Sequence, residues 1–153
     1  MKKIEIILVL ALLLSACNMS TSTSSMGLSI EESELARISE GQIFSVDDKV
    51  FTRGEDVNYI LYNVGEFTVG EDGNCWLDMD LEISDSNGEV VFSRTELLGE
   101  NGKVALEGGI AGSPYATYST TEDMEPGEFK FKLKIYDRLG KGKASVSSSF
   151  ELK

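Results

Sequence analysis

Glu128-Phe129-Lys130-Phe131-Lys132-Leu133-Lys134-Ile135-Tyr136 is the stretch on which the reading of the fold turns. Phe129, Phe131, Leu133 and Ile135 alternate without a break with Lys130, Lys132 and Lys134. In an extended chain successive side chains point to opposite sides, so one side of this strand is core and the other is solvated. That is the pattern of an antiparallel sheet with one wet face. A turn, Asp137-Arg138-Leu139-Gly140-Lys141-Gly142, leads into a second alternating strand with Ala144, Val146, Ser148, Phe150 and Leu152 inward, and the two form a C-terminal hairpin.

The same period of two recurs upstream. In Cys75 to Ile83, Leu77, Met79, Leu81 and Ile83 share one face, while Trp76, Asp78, Asp80 and Glu82 share the other. Asp85-Ser86-Asn87-Gly88 is a turn of the Asn-Gly kind, and Val90 and Phe92 continue into its hairpin partner. Shorter strands are expected at Gln42 to Val46, Val50 to Thr52, Val57 to Val64, Lys103 to Leu106 and Tyr115 to Thr121. Seven or eight strands over residues 41–153 give the spacing of an all-β, antiparallel β-sandwich. Residues 17–40 read instead as a flexible tether. Its Ser/Thr/Met tract 18–28 is too polar and too simple to pack, and Ile30 to Ser39 forms one or two helical turns with Leu35 and Ile38 on one side.

At Met124-Glu125-Pro126-Gly127-Glu128-Phe129 the chain resembles immunoglobulin-like and fibronectin type III-like domains, where a Pro-Gly turn enters the penultimate strand just before an aromatic residue. The resemblance runs loosely from Gly41 to Lys153 and implies a sandwich but no activity. Phe129 lacks the hydroxyl of the Tyr often found there, and the disulfide cysteines of antibody domains are missing. A second resemblance lies at the start of the chain. Lys2 and Lys3 precede an apolar run ending in Leu14-Ser15-Ala16-Cys17, which is similar at every position to the lipobox of bacterial lipoproteins. It implies that residues 1–16 are a cleaved signal peptide, that Cys17 carries lipid, and that the partner of the chain's first mature residue is a membrane. Each buried methylene contributes about 0.8 kcal/mol, so two or three acyl chains hold a domain on a bilayer. Asn18 is not the Asp that marks inner-membrane retention in enteric bacteria, so the resemblance implies the cell envelope, and the outer membrane in a Gram-negative host.

Loss of residues 1–16 removes two of fourteen basic and one of twenty-six acidic residues, leaving twelve against twenty-five and a net charge near −13. Nucleic acid is a poor partner for such a chain. With Cys17 acylated, Cys75 has no second thiol to bridge to, and it reads as a small buried hydrophobe. The chain has no His, which removes Ser-His pairs, the usual zinc sites and any imidazole base, and the sequence reads as a non-enzyme.

Three constellations remain. Asp78, Asp80 and Glu82 form an acidic stripe, but alternate residues of a strand lie about 7 Å apart and cannot converge on one ion. A loop site from Glu71, Asp72, Asn74 and Asp123 is the better candidate for Ca²⁺; no cofactor is required. Alternatively, if strands 75–83 and 128–136 are neighbours, Lys130, Lys132 and Lys134 face Asp78, Asp80 and Glu82 as a charge ladder. Trp76 and Tyr136 share that polar face by parity and could stack on sugars, unless a bulge at Gly73-Asn74 turns Trp76 inward. Tyr115 and Tyr118 flank a Gly-rich segment that could form a recognition loop. The sequence thus points to a lipid-anchored extracytoplasmic binding or assembly module for a protein or a cell-surface polysaccharide. The alternatives are a calcium-binding surface or structural lipoprotein and, by fold analogy, a protease-inhibitor-like sandwich.

Overall fold

The computed structural model describes residues 20–153. The expected signal peptide 1–16 and the expected lipidation residue Cys17 lie outside the described residues. Eleven strands make up the fold: β1 (Thr21–Met26), β2 (Glu32–Ser39), β3 (Gln42–Ser45), β4 (Val50–Phe51), β5 (Asp56–Tyr62), β6 (Cys75–Asp85), β7 (Val90–Arg94), β8 (Lys103–Val104), β9 (Tyr115–Ser119), β10 (Gly127–Asp137) and β11 (Lys143–Leu152). The larger sheet runs β1-β11-β10-β6-β7, with β4 added to β11 and β8 to β6; the smaller runs β3-β2-β5-β9. All pairings are antiparallel except β4 with β11. The chain is an all-β sandwich.

The quoted stretch is the middle of the larger sheet. On β10, Phe131, Leu133 and Ile135 are fully buried and Phe129 nearly so, while Lys130 and Lys132 are exposed. Its β11 partner buries Ala144, Val146, Phe150 and Leu152, and its β6 partner buries Leu77, Met79, Leu81 and Ile83. Across the sandwich β5 contributes Val57, Tyr59 and Leu61 to the same core. An aromatic edge joins the layers, where Tyr59 meets Phe131 edge-on at 5.4 Å, and within the larger sheet Phe51 of β4 meets Phe150 of β11 edge-on at 5.8 Å.

Two sequence expectations are overturned. The polar tract assigned to a tether contains β1, which pairs with β11 from Thr21↔Ser148 to Met26↔Lys143. All six of its residues are exposed, so it is held by backbone hydrogen bonds to an otherwise open edge and not by burial. Hydrophobic periodicity has no purchase on such a strand. Leu28, just beyond it, is buried in the core. Likewise Glu32–Ser39 is strand β2 and not helical turns. The spacing of Leu35 and Ile38 suits a helix, but pairing to β3 and β5 decides the conformation, and Leu35 is buried against the core. The folded domain therefore includes residues from Thr21 onward, and it has more strands than the seven or eight expected.

Because Phe131 is wholly buried and contacts Tyr59 across the layers, Phe131→Ala should cost about 3 to 5 kcal/mol in a urea unfolding titration. A loss below 1 kcal/mol would contradict this packing.

Candidate functional site

The outward face of the larger sheet gathers most of the polar residues singled out in the sequence, and it divides into a closed half and an open half. The closed half is built on Asp78. Its neighbours on the acidic stripe are partly exposed, but Asp78 is wholly buried beneath the segment that follows β7. Its Oδ1 accepts from the backbone N–H of Met79 and of Leu98, both at 2.9 Å, and its Oδ2 takes Arg138 Nη1 at 2.9 Å. Arg138 also pairs with Glu96 at 2.6 Å, and its guanidinium lies 4.9 Å from the centre of the Trp76 ring. Lys103 sits at the same distance from that ring, and the indole N–H donates to Gly99 O at 3.0 Å. Trp76 thus remains on the polar face, half-buried, with its ring already engaged by two cations and its N–H by a carbonyl.

Tyr136 is engaged in the same way. Its hydroxyl donates to Asp80 at 3.2 Å, and Lys134 lies 4.7 Å from its ring. Burial, with the negative charges of Asp80 and Asp78 beside it, pushes the phenol up to about 12. The charge ladder exists with a shifted register. Lys134 opposes Asp80 at 3.4 Å and Lys132 opposes Glu82 at 4.0 Å, but Lys130 opposes Ser84, and Asp78 opposes Tyr136. The condition for the ladder, β6 beside β10, is met, but the knot of Asp78, Arg138 and Glu96 was not foreseen from the sequence. Arg138 lies in a turn, and only the fold brings it over Trp76.

The open half is a trough of about 530 Å³ across β1, β11, β10 and β6. Its shape follows from side-chain length. Ser22 and Ser24 of β1 and Ser145 and Ser147 of β11 are short and make a floor, while Lys130 and Lys132 of β10 stand above it as a wall. Ser22 and Ser147 join their hydroxyls at 2.8 Å, which ties β1 to the floor. A smaller hollow of about 240 Å³ continues the trough past Ser24 and Ser145 toward Lys134 and Lys143. Lys130 has no ion-pair partner among the described residues.

The remaining candidates scatter. Tyr115 is half-exposed at the start of β9, whereas Tyr118 is buried against Phe92 and Met124 and presents no recognition surface. Ala116 and Tyr118 point inward because β9 is a regular strand, not a loop. Among the described residues no three Asp, Glu or Cys side chains come together as metal ligands, so Glu71, Asp72 and Asp123 do not gather as a carboxylate cluster around Asn74. Asp72 instead caps its own turn by accepting the Asn74 N–H at 3.0 Å. Cys75 is buried, and burial raises its thiol pKa, in keeping with a packing role.

A two-sheet β-sandwich with a polar groove on one outer face is the class these elements define. No family model matches the chain, and no curated protein matches it in sequence. Solved structures do match in fold, among them one titled "Crystal structure of the C-terminal domain of wzt", with a TM-score of 0.55 and 12% identity, covering 87% of this chain and 78% of that one. The likeness is one of fold.

Removal of the Asp78 carboxylate leaves Arg138 without its buried partner and frees the Leu98 N–H, so Asp78→Ala should cost about 3 kcal/mol and alter Trp76 fluorescence. Unchanged stability and emission would refute the knot. A second test uses Asp137, whose carboxylate accepts the N–H of Thr68 at 2.8 Å and of Leu139 at 2.9 Å. Burial alone would raise its pKa, but these bonds and the Thr68 hydroxyl outweigh it and hold the carboxyl below its ordinary value. A lowered folded pKa contributes stability that is present above the unfolded pKa of about 3.9 and is lost as pH falls through the folded value. The gap in melting temperature between the native chain and Asp137→Asn should therefore be widest near neutral pH and narrow below pH ~4.

Proposed function

We propose that this chain is a lipid-anchored, extracytoplasmic binding module, held in the cell envelope through Cys17 after loss of residues 1–16, whose ligand is a cell-surface polysaccharide lying in the trough of the larger sheet. The trough carries the reading: it is open, crosses four strands, and is lined mainly by serines and lysine side chains with the Glu82 carboxylate among them, and it holds no aromatic or large exposed apolar side chain. Protein interfaces are built around apolar and aromatic anchors, which this surface lacks, whereas a polyhydroxylated chain needs the donors and acceptors that serines and lysines supply. Trp76 and Tyr136 belong to the closed half of the face and do not serve as free stacking platforms, since their polar atoms and faces are already engaged.

A protein partner is a second reading, favoured by one observation. β7 is an edge strand of the larger sheet, and Val90, Val91 and Phe92 on it are all exposed. An apolar edge with unpaired backbone groups is suited to strand addition by another chain.

Affinity gel electrophoresis in the envelope polysaccharide of the producing cell should retard the native domain. Ser145→Trp, which fills the floor of the trough without entering the core, should abolish the retardation, and Lys130→Glu with Lys132→Glu should weaken binding at least tenfold. Full-speed migration of the native domain, or retardation that survives Ser145→Trp, would exclude the trough as a glycan site. For the anchor, Cys17→Ala should move the chain from the membrane fraction to the soluble one; retention at the membrane would refute lipidation at that residue.

A further inference from the structure

On the flank of the sandwich, where the two sheets face each other near β1 and β2, lies a second cavity of about 190 Å³. Thr21 of β1 and Ser148 of β11 line it from the larger sheet, Ser33 and Glu34 of β2 and Tyr59 of β5 line it from the smaller, and Asp47 and Lys49 come from the segment between β3 and β4. Tyr59 is wholly buried, and its hydroxyl is the one buried side-chain polar atom without a hydrogen-bond partner among the described residues. Burial pushes the phenol pKa up, and the Ser33 hydroxyl beside it opposes this, yet no hydrogen bond of good geometry closes between the two. An orphaned buried hydroxyl is costly, and a Phe would keep the edge-on contact with Phe131 without that cost. The hydroxyl at Tyr59 therefore asks for a partner that comes from outside the chain.

The surroundings define its chemistry. Lys49 donates to Thr21 at 2.7 Å, and Glu34 accepts from the Tyr62 hydroxyl at 2.6 Å, so both charged groups are positioned and both keep spare hydrogen-bonding capacity. Two carboxylates against one ammonium disfavour an anion. Donors and acceptors in mixture suit a neutral ligand that offers both, which is the character of a sugar hydroxyl array. The volume falls below the roughly 300 Å³ at which pockets for drug-sized ligands begin, which suits a single ring seated in the hollow. We propose that this cavity is a binding site for one neutral sugar ring or a cyclic polyol of that size, with the Tyr59 hydroxyl bonded to a ligand hydroxyl. The site is separate from the trough and does not depend on the polysaccharide reading.

Titration of the ¹⁵N-labelled domain with methyl glucoside, methyl galactoside, methyl mannoside, methyl rhamnoside, methyl N-acetylglucosaminide and myo-inositol tests it. At least one should give saturable shifts of the amides of residues 33–35, 47–49 and 148. Tyr59→Phe should stay folded and weaken that ligand at least tenfold, while Lys130→Glu with Lys132→Glu should leave it unchanged. Absence of saturable shifts with all six probes would overturn the proposal, with the orphan then being satisfied by solvent alone. So would binding that Tyr59→Phe leaves intact. Because the trough variant and Tyr59→Phe are read separately, failure at one site is not mistaken for failure at the other.

Discussion

Strand β10 is paired on both sides in a single register, to β11 from Gly127↔Leu152 to Tyr136↔Lys143 and to β6 from Phe129↔Asp85 to Asp137↔Leu77. A slip of one residue would bring Lys130, Lys132 and Lys134 into the core and turn Phe131, Leu133 and Ile135 to solvent, so the alternation itself enforces the register. Everything on the outer face follows. The same pairing that buries the Phe131 row sets Lys134 opposite Asp80 and Lys132 opposite Glu82, and on the other side sets both lysines against serines. The trough is thus a by-product of core packing: long side chains on β10 beside short ones on β11 and β1 leave space that the backbone cannot fill.

The exposed ladder pairs contribute little stability, about 0.2 to 1 kcal/mol each. The Asp78 cluster is of another kind. A buried carboxylate is stable only when its oxygens are satisfied, and here two backbone N–H groups and a guanidinium satisfy them. Those contacts draw the segment around Leu98 onto the sheet, and Gly102 lets it lie close, since a Cβ there would collide with the Leu77 carbonyl oxygen. Trp76 is fixed by the same elements, through Gly99 and Arg138. Half of the polar face is therefore architecture, which is why its aromatic residues are poor candidates for ligand contact despite their position.

Where side chains alternate, the sequence was legible. β6, β10 and β11 could be placed, with their inward residues, because period-two patterning reports burial directly. β1 could not, because a Ser/Thr strand that buries nothing leaves no trace in hydrophobicity; its conformation comes from the unpaired edge of β11, a tertiary fact. β2 was misread for the reverse reason, as Leu35 and Ile38 fit helical spacing and nothing local argues against it. At the candidate site the parity argument put Trp76, Asp78, Asp80, Glu82 and Tyr136 on one face, as found. It could not distinguish buried Asp78 from half-buried Asp80, because the covering segment and Arg138 arrive from elsewhere in the chain. Tyr118 shows the same limit: a strand at Tyr115 to Thr121 was expected, but which of its faces turns inward depends on the sheet opposite, and that face takes Tyr118 with Ala116.

Charge is distributed unevenly on this acidic chain, and the unevenness bears on both candidate sites. With 26 acidic and 14 basic residues, a random surface would present nearly two carboxylates for every cation. The trough and its extension instead gather Lys130, Lys132, Lys134 and Lys143 against Glu82 alone among their lining residues. The flank cavity has the opposite balance, Glu34 and Asp47 against Lys49. The net negative field repels polyanions at long range, yet within a Debye length of about 8 Å the trough lysines dominate what a docked ligand meets. The two sites share β1, which lends Ser22 and Ser24 to one and Thr21 to the other. Occupancy of either would add contacts to a strand that otherwise keeps its place by backbone pairing, a few hydroxyl bonds and Lys49, so a strand that buries none of its own side chains is the one that ligands would hold.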